Sequence, residues 1–224
     1  KLYDLLNITT IGELEYAAKE NRLAILKGFG KKSQENILEG IDNLRKYSAK
    51  FLLSQGLSQG KDILDWIKNH PRIYRASLAG SIRRYKEIIK DIDIVASCEQ
   101  KHRGEIMDYF LSFPEHSYSI GKGDTKSSMK LQSGINIDLR LVDDIEFPYA
   151  LHHFTGSKEH NTALRQRAKK MGLKINEYGI FDENDNILPA NDESEFYKIL
   201  GLDFIPPELR EDRGEIQARS EERR

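Results

Sequence analysis

Apolar residues in the first part of the chain recur every three or four positions. Leu2, Leu5 and Leu6 form one set, Ile25 and Leu26 another, and Ile37, Ile41 and Leu44 a third. That spacing predicts helices over residues 1–46. They are interrupted at Lys27-Gly28-Phe29-Gly30-Lys31-Lys32, which reads as a tight glycine turn between two helices. Lys61–Asn69 predicts a further amphipathic helix, stopped before Pro71. The pattern then changes. Tyr74–Ala79, Asp91–Ser97 and Ile135–Val142 are rich in β-branched and other apolar residues and predict strands, with a helix over His102–Leu111 between them. Phe147-Pro148-Tyr149 marks the exit from this region. Beyond it the pattern predicts a helix over Asn161–Met171 with Gly172 as its C-cap. A strand is expected over Leu173–Phe181, a polar turn over Asp182–Asn186 and a short helix over 193–200. Glu211–Arg224 is almost wholly polar or charged and reads as a disordered tail or linker.

Helices first, then a mixed region, give an α+β chain with a helical lobe at about 1–50, a mixed-sheet lobe at 51–145, a small α+β lobe at 146–210 and a charged tail at 211–224. Its 224 residues suffice for such lobes. With 35 basic and 36 acidic residues the net charge is −1, so any nucleic-acid contact must use local patches. A single cysteine, Cys98, excludes a disulfide framework, fits a reducing, cytoplasmic setting and reads as a small buried apolar residue. No apolar stretch approaches the roughly 18 residues needed to cross a membrane. The opening Lys1-Leu2-Tyr3-Asp4 resembles the middle of a helix, so the chain is expected to be part of a longer protein.

The chemistry concentrates in two places. Asp91 and Asp93 lie at i and i+2 of a predicted strand and so project from one face, while Ile92 and Ile94 point to the other. Carboxylates that close repel and call for a cation, and oxygen ligands suit Mg²⁺ or Mn²⁺. Asp138, mid-strand among Ile and Leu, is a third candidate, and three such groups on neighbouring strands suit a two-ion site. Each alone also reads as a solvent-facing strand residue. Upstream, Gly80-Ser81 at a strand end, followed by Arg83 and Arg84, has the makings of a phosphate cradle, or of a plain turn with Ser81 as N-cap. His152, His153 and His160 have no zinc-site spacing.

Ala79-Gly80-Ser81-Ile82-Arg83-Arg84 with Asp91-Ile92-Asp93, Gly123-Asp124-Thr125-Lys126, Ile137-Asp138-Leu139-Arg140 and His153-Phe154-Thr155-Gly156-Ser157 through Arg165 together resemble the bacterial and archaeal branch of the family X DNA polymerases, relatives of DNA polymerase β in the nucleotidyltransferase superfamily. Ile175-Asn176-Glu177-Tyr178 and Phe204–Arg210 extend the likeness. The resemblance implies template-directed, two-metal nucleotidyl transfer onto a primer 3′-hydroxyl, with short-gap filling in DNA repair as its role. Asp91, Asp93 and Asp138 would be catalytic and hold two Mg²⁺ or Mn²⁺ ions. Gly80, Ser81 and Arg84 would hold the triphosphate, and His153, Phe154 and Gly156 the sugar. Asn161 would touch the nascent base pair. Lys126 and Arg165 would contact DNA, as would a helix-hairpin-helix at Gly28, Phe29, Gly30, Lys31 and Lys32, with a monovalent cation on its carbonyls. Expected partners are primer-template or gapped DNA and deoxynucleoside triphosphates, with no membrane and a monomeric protein. The lyase lobe and phosphoesterase domain of longer members fall outside the chain, so neither lyase nor nuclease activity is expected.

The sequence also departs from the family pattern. Lys90 stands where a small residue precedes the first aspartate, and it could either serve the triphosphate or crowd it. Asn136 replaces the arginine of animal relatives, and His153 their tyrosine. The alternatives are a template-independent nucleotidyltransferase, which would not need the glycine hairpin or the Phe154–Arg165 block, and a catalytically impaired DNA-binding module.

Overall fold

The computed structural model describes residues 2–26, 28–48 and 50–220, with side chains for all of these but 3, 4 and 43–48. Lys27 and the side chain of Leu44, both used above, lie outside the described residues. The chain divides into two units, Lys1–Lys50 and Phe51–Arg224.

The first unit contains α1 (Leu2–Leu6), α2 (Ile11–Lys19) and α3 (Lys31–Ser48). Thr10 and Glu13 cap α2 reciprocally, each side chain bonding the other's backbone N–H. Ala17, Ala18 and Leu23 form its small core, against which Leu2, Leu6, Ile37 and Leu38 pack. Ile25 and Leu26 are not helical. Residues 20–25 are a run of turns, and Ile25 is 83% exposed. The buried Gln34 on α3 holds this run in place. Its Oε1 accepts from the Ala24 N–H at 3.0 Å and its Nε2 donates to Asn21 Oδ1 at 2.7 Å. Satisfying these buried polar groups outweighs the helical propensity of Ile25-Leu26.

In the second unit, alternation fixes the sheet. β1 (Phe51–Leu52) leads into α4 (Leu53–Lys68), followed by β2 (Arg75–Leu78), the four-residue α5 (Gly80–Arg83), β3 (Ile88–Ile89) and β4 (Asp91–Ser97). Then come α6 (Arg103–Leu111), β5 (His116–Lys122), β6 (Lys126–Leu131) and β7 (Asn136–Val142). The five-stranded sheet has the order β2-β4-β7-β6-β5, with β4 and β7 parallel and the other pairs antiparallel. One face carries Ile92, Ile94, Ile137, Leu139 and Leu141, buried with Ile63 and Ile67 of α4 and Ile106, Met107 and Phe110 of α6. β1 and β3 form a separate two-stranded ribbon.

Three sequence expectations change here. α4 starts at Leu53, not Lys61, because Gly56 and Gly60 lie inside the helix. A Cβ on Gly56 would stand 2.0 Å from Ile89 Cδ1, and one on Gly60 3.1 Å from Ile82 Cδ1. These glycines weaken the helical signal but let the helix lie close on the chain beneath it. β5 and β6 were not foreseen. Both are largely polar, and β5 is the exposed edge of the sheet. The strand form of β5 comes from pairing, whereas β6 also buries Met129 and Leu131 in the main core.

After the sheet, α7 (Phe147–Thr155) covers its second face, where Val95, Val142, Phe147, Ala150 and Leu151 pack. Phe147-Pro148-Tyr149 is therefore the start of a helix, with proline in its first turn as the missing N–H allows. α8 (Lys158–Lys170) is capped by Ser157, whose Oγ accepts the His160 N–H at 3.2 Å. The expected strand over Leu173–Phe181 is instead a hairpin of β8 (Lys174–Ile175) and β9 (Ile180–Phe181). Asn176 Oδ1 accepts the Tyr178 and Gly179 N–H groups and closes the turn. α9 (Glu193–Ile199) completes a second core of Tyr149, Leu164, Phe196, Tyr197, Leu200 and Ile205.

The tail expectation also needs correction within the described residues. Glu215 and Ile216 on α10 (Glu215–Ala218) are buried, and Leu202 bridges to Ser220. Glu215 accepts the Asp212 and Arg213 N–H groups and pairs with His160 Nδ1 at 2.7 Å, while His160 Nε2 meets the Tyr197 hydroxyl at 2.9 Å. Burial holds His160 below its usual pKa despite Glu215. Two of the charges that suggested a solvated tail, Glu211 and Glu215, are thus engaged with the fold, while Asp212, Arg213 and Arg219 are exposed. No described helix is long and apolar enough to cross a membrane.

Candidate active site

The site grows from the register of the two parallel strands. Asp93 pairs with Asp138, Val95 with Arg140 and Ser97 with Val142. Side chains at paired positions share a face, so Asp91, Asp93 and Val95 on β4 form one row beside Asp138, Arg140 and Val142 on β7. α7 covers the far end of both rows at Val95 and Val142. The aspartates emerge at the uncovered end. All three predicted carboxylates therefore lie together on the face opposite the main core.

Their electrostatics follow from that placement. Burial, with Asp91 and Asp138 beside it, pushes the Asp93 carboxyl up to about 7. Burial and then Asp138 raise Asp91, against the pull of Lys90 and Lys126. Among the described residues, no three Asp, Glu, His or Cys side chains form a ready-made metal cluster. Asp138 Oδ2 instead lies 2.6 Å from Lys126 Nζ. This is the arrangement expected of converging carboxylates neutralised only by lysine. An all-oxygen donor set on neighbouring strand positions, with two of its carboxyls still raised despite nearby Lys90, Lys126 and Arg140, fits hard divalent ions.

A raised carboxylate pKa has a definite consequence for stability. Between about pH 4 and 7 the folded state keeps a proton that the unfolded state loses, so stability falls as pH rises through that window. In a chelating buffer at pH 8, Asp93→Asn is expected to stabilise the protein by about 2 kcal/mol, with the gain gone near pH 4. Thermal unfolding at both pH values checks this, and a lower midpoint for the variant at pH 8 would contradict it.

Gly80 brings the next element against the carboxylates. It has φ of +59°, and a Cβ there would meet Asp93 Oδ2 at 2.1 Å. The Ala79 N–H donates to the Asp93 carbonyl at 2.8 Å, tying the turn to β4. Ser81 lies inside α5, whose N-cap is Ala79, so Ser81 is not the cap. A cleft of about 570 Å³ opens here. Gly80, Ser81, Arg84, Lys86, Ile88, Lys90, Asp91 and Asp93 line one side, and His153, Phe154, Thr155, Gly156, Lys158, Asn161 and Arg165 the other. Every residue predicted for the triphosphate, sugar and nascent pair lines this one cleft, as does Arg165. Asp138 sits one strand and Lys126 two strands from β4, and neither is part of the lining.

Several of these groups are already engaged. Arg84 Nε donates to Glu211 at 2.9 Å and its Nη1 donates to the Thr155 carbonyl. Gly156, at φ +71°, allows this, since a Cβ would lie 3.1 Å from Arg84 Nη1. The Gly156–Ser157 peptide is cis. Asn161 Nδ2 donates to the His153 carbonyl at 2.8 Å, leaving its buried Oδ1 without a partner. His153 packs edge-on to Phe154, and the Arg140 guanidinium lies 4.0 Å from the Phe154 ring centre. Burial lowers the His153 pKa.

Sequence reading missed the frame behind the cleft. Arg83 donates to Thr155 Oγ1 at 2.8 Å and to Glu193 at 2.6 Å, while Arg210, fully buried, donates to the same Glu193 at 2.5 Å. Although burial raises it, Glu193 is held below its usual pKa by the two arginines. The network links α5 to α9 and the segment after it. The double arginine and the Phe204–Arg210 stretch were visible, but nothing in the sequence joined them to Glu193.

In the first unit, Gly28 has φ of +94°, which favours glycine. Gly30 has open space around its Cβ position. Phe29 is half-buried, and Lys31 and Lys32 are exposed in the first turn of α3.

A family model described as DNA polymerase beta thumb matches residues 150–211. The chain is similar to the DNA polymerase/3′-5′ exonuclease PolX of Bacillus subtilis, with 37% identity over 99% of this chain and 39% of that protein. It is 28% identical to human DNA-directed DNA/RNA polymerase mu over 70% of the chain and 34% of the relative. Against repair DNA polymerase X of an African swine fever virus isolate it is 29% identical over 58% of the chain and 78% of the relative. It thus spans well under half the length of the first two relatives. The fold matches that of Leishmania infantum polymerase beta in a ternary P/T complex, at a TM-score of 0.65 and 20% identity, covering 94% of this chain and 91% of that one.

Proposed function

Since the chain belongs to the family X DNA polymerases, we propose that it catalyses template-directed addition of deoxynucleotides to a primer 3′-hydroxyl, filling short gaps in DNA repair as a monomeric cytoplasmic protein. The observation that carries this reading is the grouping of Asp91 and Asp93, which line one cleft beside the Gly80-Ser81 turn, with Asp138 in register on the adjoining strand. The primer oxygen attacks the α-phosphorus, the bond to pyrophosphate breaks, and the hydroxyl proton leaves to solvent. Asp91 and Asp93 would hold both of two Mg²⁺ or Mn²⁺ ions and Asp138 would join them at the ion nearer the primer. Bound there, such ions lower the charge on the triphosphate and stabilise the departing pyrophosphate.

The remaining work is positioning. The first N–H groups of a helical turn have no partner within it, so Gly80 and Ser81 can donate to phosphate oxygens. His153, Phe154 and Gly156 would bound the sugar. Asn161 would touch the nascent pair, and its buried, unpartnered Oδ1 supports this as an acceptor. Lys126 and Arg165 would meet the DNA strands, and Gly28–Lys32 duplex phosphates, with a monovalent cation on the hairpin carbonyls.

On a one-nucleotide gapped duplex with Mn²⁺, the protein is expected to insert the templated nucleotide at least about a hundredfold more efficiently than the other three, the scale that base-pair geometry and hydrogen bonding supply. Equal use of all four would point to template-independent transfer. DNA binding without extension would point to an inactive binding module.

A further inference from the structure

Arg84 is the cation next to the Gly80-Ser81 turn, yet Glu211 and the Thr155 carbonyl hold its guanidinium. Glu211 also takes Lys86, with Nζ 3.4 Å from Oε2. The positive charge nearest the turn is therefore largely neutralised by a single carboxylate. An anion entering the cleft needs another donor on the same side. Lys90 lines that side between Ile88 and Asp91, is exposed, and makes no ion pair or hydrogen bond among the described residues. It sits in the bend between β3 and β4, so the strand that carries the metal-binding carboxylates also fixes the root of its side chain. A lysine there has a flexible four-carbon stem and three donors, which suit a phosphate that changes position as it is released.

We infer that Lys90 is an anion ligand of the cleft, holding the terminal phosphates of the incoming nucleotide and then the pyrophosphate, and supplying the charge that Arg84 gives to Glu211. Its departure from the small residue of the family pattern is then a relocation of the phosphate contact, not a mark of decay. This inference rests on the nucleotidyl-transfer reading above.

The test uses the intact protein with Mn²⁺ and inorganic tripolyphosphate as the probe, followed by calorimetry. Lys90→Ala is expected to weaken tripolyphosphate about tenfold, the scale of one charged contact in a partly exposed site, while Lys90→Arg stays within about threefold. Mn²⁺ binding without the anion should be undiminished in Lys90→Ala, since only a neighbouring positive charge is lost. KM for the nucleotide should rise with kcat kept within about threefold, as uniform binding predicts. Adding Glu211→Gln to Lys90→Ala should restore most of the lost affinity by releasing Arg84. Unchanged tripolyphosphate affinity in Lys90→Ala, or a parallel loss of Mn²⁺ binding, would overturn the inference. Unsubstituted protein that extends no primer would instead overturn the polymerase reading, whatever Lys90 does, so the two failures are distinguishable.

Discussion

Asp138→Ala is expected to slow insertion of a matched nucleotide about a thousandfold or more while leaving triphosphate affinity within about threefold, the pattern of a contact made only in the transition state. Asp138 stands one strand from Asp93, outside the lining of the cleft, and its oxygen is 2.6 Å from Lys126 Nζ. On the proposed two-ion reading, the nucleotide's ion would keep Asp91 and Asp93 in the variant. What would be lost is the ligand nearer the primer, and with it the charge that favours the attacking oxygen. Single-turnover insertion measured beside equilibrium nucleotide binding separates these effects. Insertion within about tenfold of the unsubstituted rate would remove Asp138 from the reaction.

Gly80→Ala is expected to cost about a hundredfold in insertion and about 1–3 kcal/mol in stability. Two costs combine at this position. A Cβ would lie 2.1 Å from Asp93 Oδ2 and 3.0 Å from its Cγ, so the carboxylate must rotate away, and φ of +59° is strained for alanine. Misplacing one metal-binding oxygen by an ångström is enough for a loss of that order. Gly104→Ala, inside α6, is the control. Nothing stands within 4 Å of its added methyl and alanine favours the helix, so stability should not fall. Denaturant unfolding beside single-turnover kinetics reads both variants, and a Gly80→Ala protein with unaltered insertion would show that the turn need not touch Asp93.

Much of the fold was visible in the chain because its signals are local. β4 and β7 alternate aspartate with Ile or Leu, and residues i and i+2 on a strand must share a face. The strands, the helix over residues 103–111 and the Asp182 turn follow from such patterns. Where neighbours outside the segment decide, the pattern failed. Gly56 and Gly60 look like helix breakers until Ile89 and Ile82 are set against them. β5 is exposed and polar, so its pairing decides it, and β6 shows only Met129 and Leu131 as the apolar part of its buried face. The charged stretch from Glu211 looks solvated until Arg84, His160 and buried N–H groups are found around it.

The same division runs through the site. Spacing alone identifies Asp91 and Asp93 as a same-face pair and Gly80-Ser81 as a turn before them, because strand periodicity and backbone freedom are properties of a few successive residues. That Asp138 lies beside Asp93 depends on two distant strands pairing in parallel and in one register, where a one-residue slip would turn its carboxylate into the core. That Glu211 holds Arg84, and Glu193 holds Arg83, depends on charges more than a hundred residues apart meeting where they are shielded from solvent, and Arg210 reaches the same Glu193 from 17 residues away. Such pairings are set by burial and geometry, which no stretch of sequence contains.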